Sequence, residues 1–166
     1  MKKLLILLIL STFFLSGCDI YNLNTFVLPD DAEFLALIQE LDNPKKICQY
    51  MKDNFEYEAH PYIYLTPYQL YITKKGDCYD YAMFAQFIAN YHGYKTWQIV
   101  IYFKETVKKH ALVVYLENGK YTYSNNKAYY PIYSSDFNNI VLDYFSYACK
   151  YTLNYYKVLD YNLITL

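Results

Sequence analysis

Residues 76–126 read GDCYDYAMFAQFIANYHGYKTWQIVIYFKETVKKHALVVYLENGKYTYSNN, and a change of pattern inside this stretch decides the fold. From Cys78 to about Tyr91 the apolar residues Tyr81, Phe84, Ala85, Phe87, Ile88 and Tyr91 recur at the spacing of a helix with one buried face. Gly76-Asp77 breaks the chain before it, with Asp77 as N-cap. His92-Gly93 closes it, glycine as the C-terminal stop and histidine suited to the negative end of the helix dipole. The period then changes. Lys95 to Phe103 is rich in Trp, Ile, Val and Tyr, and His110 to Leu116 is nearly all apolar. Asn118-Gly119 is a strong hairpin signal, with Lys120 to Ser124 as the return strand.

The flanks extend both patterns. Asp30 or Asp31 caps a helix through about Leu41, and Asn43-Pro44 opens a second to about Phe55. Thr66-Pro67 opens a shorter one ending near Lys74, while 56–65 reads as extended or loop. His60, before Pro61, reads as a surface turn residue. Downstream, a strand near Ala128 to Tyr133 precedes a helix from Ser135-Asp136 to about Cys149 and a last strand from Tyr151 to Val158. No internal repeat is present. The expected class is α+β, with N-terminal helices packed on a mainly antiparallel sheet.

Cys78 falls in the first turn of its helix, where unpaired backbone N–H groups and the dipole favour a thiolate. The expectation is a pKa below the usual value of about 8.5. A nucleophilic cysteine also needs a proton acceptor, and the acceptor needs a group that holds its tautomer. His110 heads a strand, and the hairpin returns a polar residue beside it. A two-residue turn pairs Glu117 with Lys120, which puts Leu112 opposite Asn125 and His110 opposite Lys127. Alternation then places His110 and Asn125 on one face as diagonal neighbours, roughly 7–8 Å apart. Asn126 would pair with Ala111 on the other face, so parity selects Asn125, and one bulge would reverse the choice. Gln69, upstream of Cys78, is the polar side chain considered for an oxyanion site beside the Cys78 N–H.

Together these residues resemble the core of the transglutaminase-like superfamily, relatives of papain-type cysteine peptidases. The resemblance covers about residues 66–126. In that family a cysteine starts a helix, a histidine heads a following strand and an aspartate or asparagine comes from the next. The resemblance implies Cys78 as nucleophile, His110 as base and Asn125 as orienting residue. Leu112 stands where the family commonly has tryptophan, and Asn125 replaces the commoner aspartate. It further implies acyl chemistry on amide bonds through a thioester, ending in hydrolysis or in transfer to an amine. The alternative is an inactive relative serving as an envelope binding or structural module. A third reading, a cell-wall peptidase of the NlpC type, lacks the usual Ser-Gly after the cysteine, since Tyr79-Asp80 follow Cys78. No cofactor is expected, and Cys78 with His110 lacks further ligands at zinc-site spacing.

The chain's start bears on location. Lys2-Lys3, an apolar run from Leu4 to Leu10, and Leu15-Ser16-Gly17-Cys18 resemble a bacterial lipoprotein signal ending at a lipidated cysteine. The run is shorter than the roughly 20 apolar residues needed to span a bilayer. The organisation read from this is a signal peptide at 1–17, an anchor and tether at 18–29 and one domain at 30–166. The product would sit on the extracytoplasmic face of a membrane, held by lipid on Cys18, and act on peptide, protein or cell-wall amides. Without Lys2 and Lys3, two of the chain's 15 basic residues, the product would keep 13 against 16 acidic, with no arginine, and so no basic surplus for nucleic acid. The 24 tyrosines fit biased codon usage. Cys48 and Cys149 read as core residues, a mutual disulfide being the lesser option.

Overall fold

The computed structural model describes residues 26–60, 64–148 and 150–160. The first four helices begin where the sequence supplies an acceptor for the unpaired N–H groups of a first turn. Asp31 Oδ1 accepts from the Phe34 N–H at 2.9 Å and opens α1, Ala32–Glu40. Asn43 Oδ1 accepts from the Lys46 N–H at 3.0 Å and opens α2, Pro44–Asn54, with proline at the first position. Capping boxes open the next two: Thr66 with Gln69 for α3, Pro67–Thr73, and Asp77 with Asp80 for α4, Cys78–Tyr91. His92 ends α4 as expected and adds a tie between helices, its Nε2 meeting the Ile38 carbonyl of α1 at 2.7 Å. Between these helices lies a short parallel pair, β1 (Glu56–Tyr57) with β2 (Lys75–Gly76).

The main sheet comprises β3 (Thr96–Phe103), β4 (Lys109–Glu117), β5 (Lys120–Asn125), β6 (Ala128–Ser134) and β7 (Leu153–Leu159). Its spatial order is β6-β5-β4-β3-β7, and each neighbouring pair is antiparallel. Asn118 and Gly119 have positive φ, 52° and 75°, as a two-residue hairpin turn of this kind requires. The turn sets the register predicted from it. Glu117 faces Lys120, Leu112 faces Asn125, and the ladder between them carries no bulge.

The sheet is covered on both faces. Ala111, Val113 and Tyr115 enter a core with Phe84, Phe87 and Ile88 of α4 and with the buried residues of α1 and α2. Ile99, Ile101, Leu112, Val114 and Tyr123 enter a second core, closed by Ile140, Val141 and Tyr144 of α5 (Phe137–Ala148). The N-terminal helices expected on the sheet are therefore joined by α5 on the opposite face. Burial on both faces is also why β4 reads as an unbroken apolar run instead of alternating. Cys48 is a free thiol of the first core, only 2% exposed. Cys18 and Cys149 lie outside the described residues, as does the signal segment. Among the described residues no helix is long and apolar enough to cross a membrane.

Candidate active site

Two carboxylates hold the start of α4. Asp77 Oδ1 accepts the N–H groups of Tyr79 at 2.8 Å and Asp80 at 3.3 Å, while Asp80 Oδ2 accepts the Asp77 N–H at 2.8 Å. Asp80 is fully buried and takes two further bonds, from the Leu65 N–H at 2.8 Å and from His60 Nε2 at 2.6 Å. His60 is thus not the surface turn residue its sequence position suggests. It ties the segment before α3 to the helix that carries Cys78. Gly76 fits here because a Cβ would lie 2.8 Å from both Asp80 Oδ2 and Leu70 Cδ1.

Cys78 is the first residue of α4 and 5% exposed. Burial pushes its thiol up to about 11, and the Asp77 charge adds to the rise. Backbone N–H groups of Ala111, Cys78 itself and Tyr79 work against that rise without cancelling it. The expected lowering by the helix start is therefore overturned, for two reasons. Removing an anion from water outweighs a few dipoles, and the N-cap carboxylate already faces the positive end of the helix. Three tyrosines surround the sulfur closely enough to feel its charge: Tyr57, Tyr64 and Tyr79. The rings of Tyr64 and Tyr79 lie 5.3 Å apart, and Tyr57 and Tyr64 are more than half exposed to solvent (56% and 51%).

The Ala111 N–H that reaches Cys78 belongs to the residue after His110. His110 Nε2 lies 2.7 Å from Asn125 Oδ1, so the diagonal pairing inferred from the hairpin becomes a direct hydrogen bond. An amide oxygen only accepts, so Nε2 carries the proton and Nδ1 of the neutral ring is bare. Burial lowers the His110 pKa, and the Asn125 bond opposes that lowering without reversing it. The ring face stacks on Tyr144 of α5, centroids 5.1 Å apart and planes 14° from parallel. That support was not legible in the sequence. Gln69 has a different task from the one considered for it: it is exposed, and its Oε1 accepts the Thr66 N–H at 2.8 Å to cap α3.

The sequence profile described as "Transglutaminase-like superfamily" matches residues 36–131, a longer span than the motif residues alone. The chain belongs to that superfamily. Among solved structures, this superfamily member is similar to calcium-bound LapG of Legionella pneumophila. Identity is 12%, 79% of this chain and 77% of that one are covered, and the TM-score is 0.51. It is also similar to a candidate cysteine protease of Cytophaga hutchinsonii, at 12% identity, 87% and 63% coverage and a TM-score of 0.43. Likeness at such identity concerns the fold. No curated protein matches the sequence. The α+β class and the transglutaminase-like core expected from the sequence both hold.

One group of metal-capable side chains does occur among the described residues: His60, Asp77 and Asp80, their ligand atoms within 4.8 Å of one another. Calcium takes roughly six to eight oxygen ligands. Here three of the four carboxylate oxygens already accept hydrogen bonds, four from backbone N–H groups and one from His60. The group does not fit such an ion, and its bonds hold the α4 start together.

Proposed function

We propose that this protein is a membrane-anchored, extracytoplasmic cysteine enzyme acting on amide bonds. Cys78 is the nucleophile, His110 the base and Asn125 the residue that orients the base. One observation carries the reading: a histidine hydrogen-bonded to Asn125 heads the strand whose next residue, Ala111, packs on the helix that Cys78 begins. Superfamily membership supports it over the NlpC-type alternative.

Burial favours a neutral resting pair, a protonated sulfur and an unprotonated ring. The proton therefore moves as the sulfur attacks. His110 Nδ1 takes the thiol proton, the sulfur–carbon bond forms, and the carbonyl electron pair passes to oxygen. The Cys78 N–H, at the open start of α4, supplies a hydrogen bond to that oxygen. The imidazolium then protonates the amine nitrogen as the C–N bond breaks, leaving a thioester for water or an amine to resolve. Asn125 keeps Nε2 as the protonated nitrogen, so Nδ1 is the one that cycles. An extracytoplasmic position suits peptide, protein or cell-wall amides, with water as the ever-present acceptor.

Alkylation tests this. With iodoacetamide near neutral pH, Cys78 labels much faster than Cys48, whose thiol burial pushes up to about 12. The Cys78 rate is level around neutrality, where His110 serves as base, and climbs again toward about 11 as free thiolate forms. Slow, equal labelling of both thiols rejects the enzyme. It would instead favour a binding or structural module without turnover, the reading that the burial of Cys78 supports.

The anchor rests on Leu15-Ser16-Gly17-Cys18. Cys18→Ala moves the protein from the membrane pellet to the soluble fraction. Retention of the variant on washed membranes counts against lipidation.

A further inference from the structure

A cleft of about 550 Å³ opens between α2 and the turn that joins β5 to β6. One wall is a single face of α2, with Lys45, Cys48, Gln49 and Lys52 at helical spacing. The other includes Asn126 and Lys127. None of the lining residues is acidic, although the whole chain carries 16 acidic residues against 15 basic ones. The positive charge gathered here runs against the balance of the chain.

The three lysines are also unneutralised. Elsewhere Lys46 pairs with Asp42, and Lys75 with Glu56 and Glu58, but among the described residues Lys45, Lys52 and Lys127 form no ion pair. Lys127 Nζ donates to the carbonyl of Phe55, the residue that ends α2, at 2.8 Å, with no carboxylate paired to it. The nearby Asp53 carboxylate is held by the Gln49 amide at 2.8 and 2.9 Å. Asn126 contributes a buried Oδ1 without a hydrogen-bond partner, on a backbone with a positive φ of 49°. Buried polar atoms ordinarily have partners, and turning this amide over presents its N–H₂ instead.

We propose that this cleft binds a small polyanion, a molecule with two or more phosphate or carboxylate groups, through Lys45, Lys52 and Lys127 with the Asn126 amide. The volume suits a small molecule. Cations on two facing walls favour a ligand with more than one negative group. The inference uses neither Cys78 nor His110, although Asn125, the partner of His110, also lines the cleft.

Calorimetric titration of the purified full chain with inorganic pyrophosphate and, separately, citrate tests it. At least one binds with a stoichiometry near one, and binding weakens as sodium chloride is raised. In Lys45→Gln/Lys52→Gln/Lys127→Gln the dissociation constant rises about tenfold or more, while Lys46→Gln leaves it unchanged. Binding of pyrophosphate alone assigns a phosphate ligand, of citrate alone a carboxylate ligand, and of both either kind. If the triple variant loses its circular dichroism, Lys52→Glu, at an exposed helix position, takes its place with the same expectation. No binding of either probe at millimolar concentration, or binding that the lysine substitutions leave intact, overturns the proposal.

Discussion

His110→Ala slows alkylation of Cys78 at neutral pH by about a hundredfold or more, the lower end of what a positioned base contributes. The expectation follows from the neutral pair. A thiol raised to about 11 is almost wholly protonated at neutrality, so its reactivity depends on a neighbour that removes the proton during attack. Time courses read by mass spectrometry compare wild type with the variant. Because His110 also stacks on Tyr144 and bonds Asn125, the variant could lose structure for reasons unrelated to the base. His110→Gln retains an amide able to bond Asn125 and provides no base, so it should be equally slow. Wild-type rates in both folded variants would remove His110 from the chemistry. The pH dependence has a definite sign. The folded ring has a lowered pKa, so the base stays available through neutrality and fails only on acidification below the free-imidazole value of about 6.5. Over that acidic interval the unfolded chain binds a proton that the folded chain refuses, so stability also falls with pH.

Asp80→Asn lowers the melting temperature by roughly 10–20 °C, from about 3–5 kcal/mol lost when a buried, multiply bonded charge is broken. Asp80 is fully buried and accepts from Asp77, Leu65 and His60. An amide replaces one accepting oxygen with a donor that must face another donor, whichever way it turns. His60→Ala is milder, because both backbone donors keep their acceptor. Thermal unfolding by circular dichroism reads both. A change within about 3 °C for Asp80→Asn would show that this carboxylate does not hold the α4 start in place.

These two residues mark where the sequence was legible and where it was not. Signals that act over a few positions could be read directly. Asp31, Asn43, Thr66 and Asp77 each cap the helix they precede, and Asn118-Gly119 alone sets the register that brings His110 to Asn125. Facts created by distant segments could not. Asp80 reads as an ordinary acid of a first turn, and nothing local shows that Leu65 and His60 will close over it. The pKa of Cys78 departs from its expectation for the same reason: the helix start is local, while the burial that outweighs it comes from the surrounding fold. Gln69 is near Cys78 in number, but its capping box is a nearer claim on its side chain. The start of α5 at Ser135-Asp136 is readable, though not which face of the sheet the helix covers.

The placement of α5 has a consequence in time. The thiol, the ring and the amide all lie between residues 78 and 125, whereas the helix stacked behind the ring runs from Phe137 to Ala148 and the edge strand that follows ends at Leu159. In a polypeptide threaded through a translocation channel amino end first, the reactive trio emerges before its backing. The imidazole gains its support only when α5 docks, after those three residues have emerged.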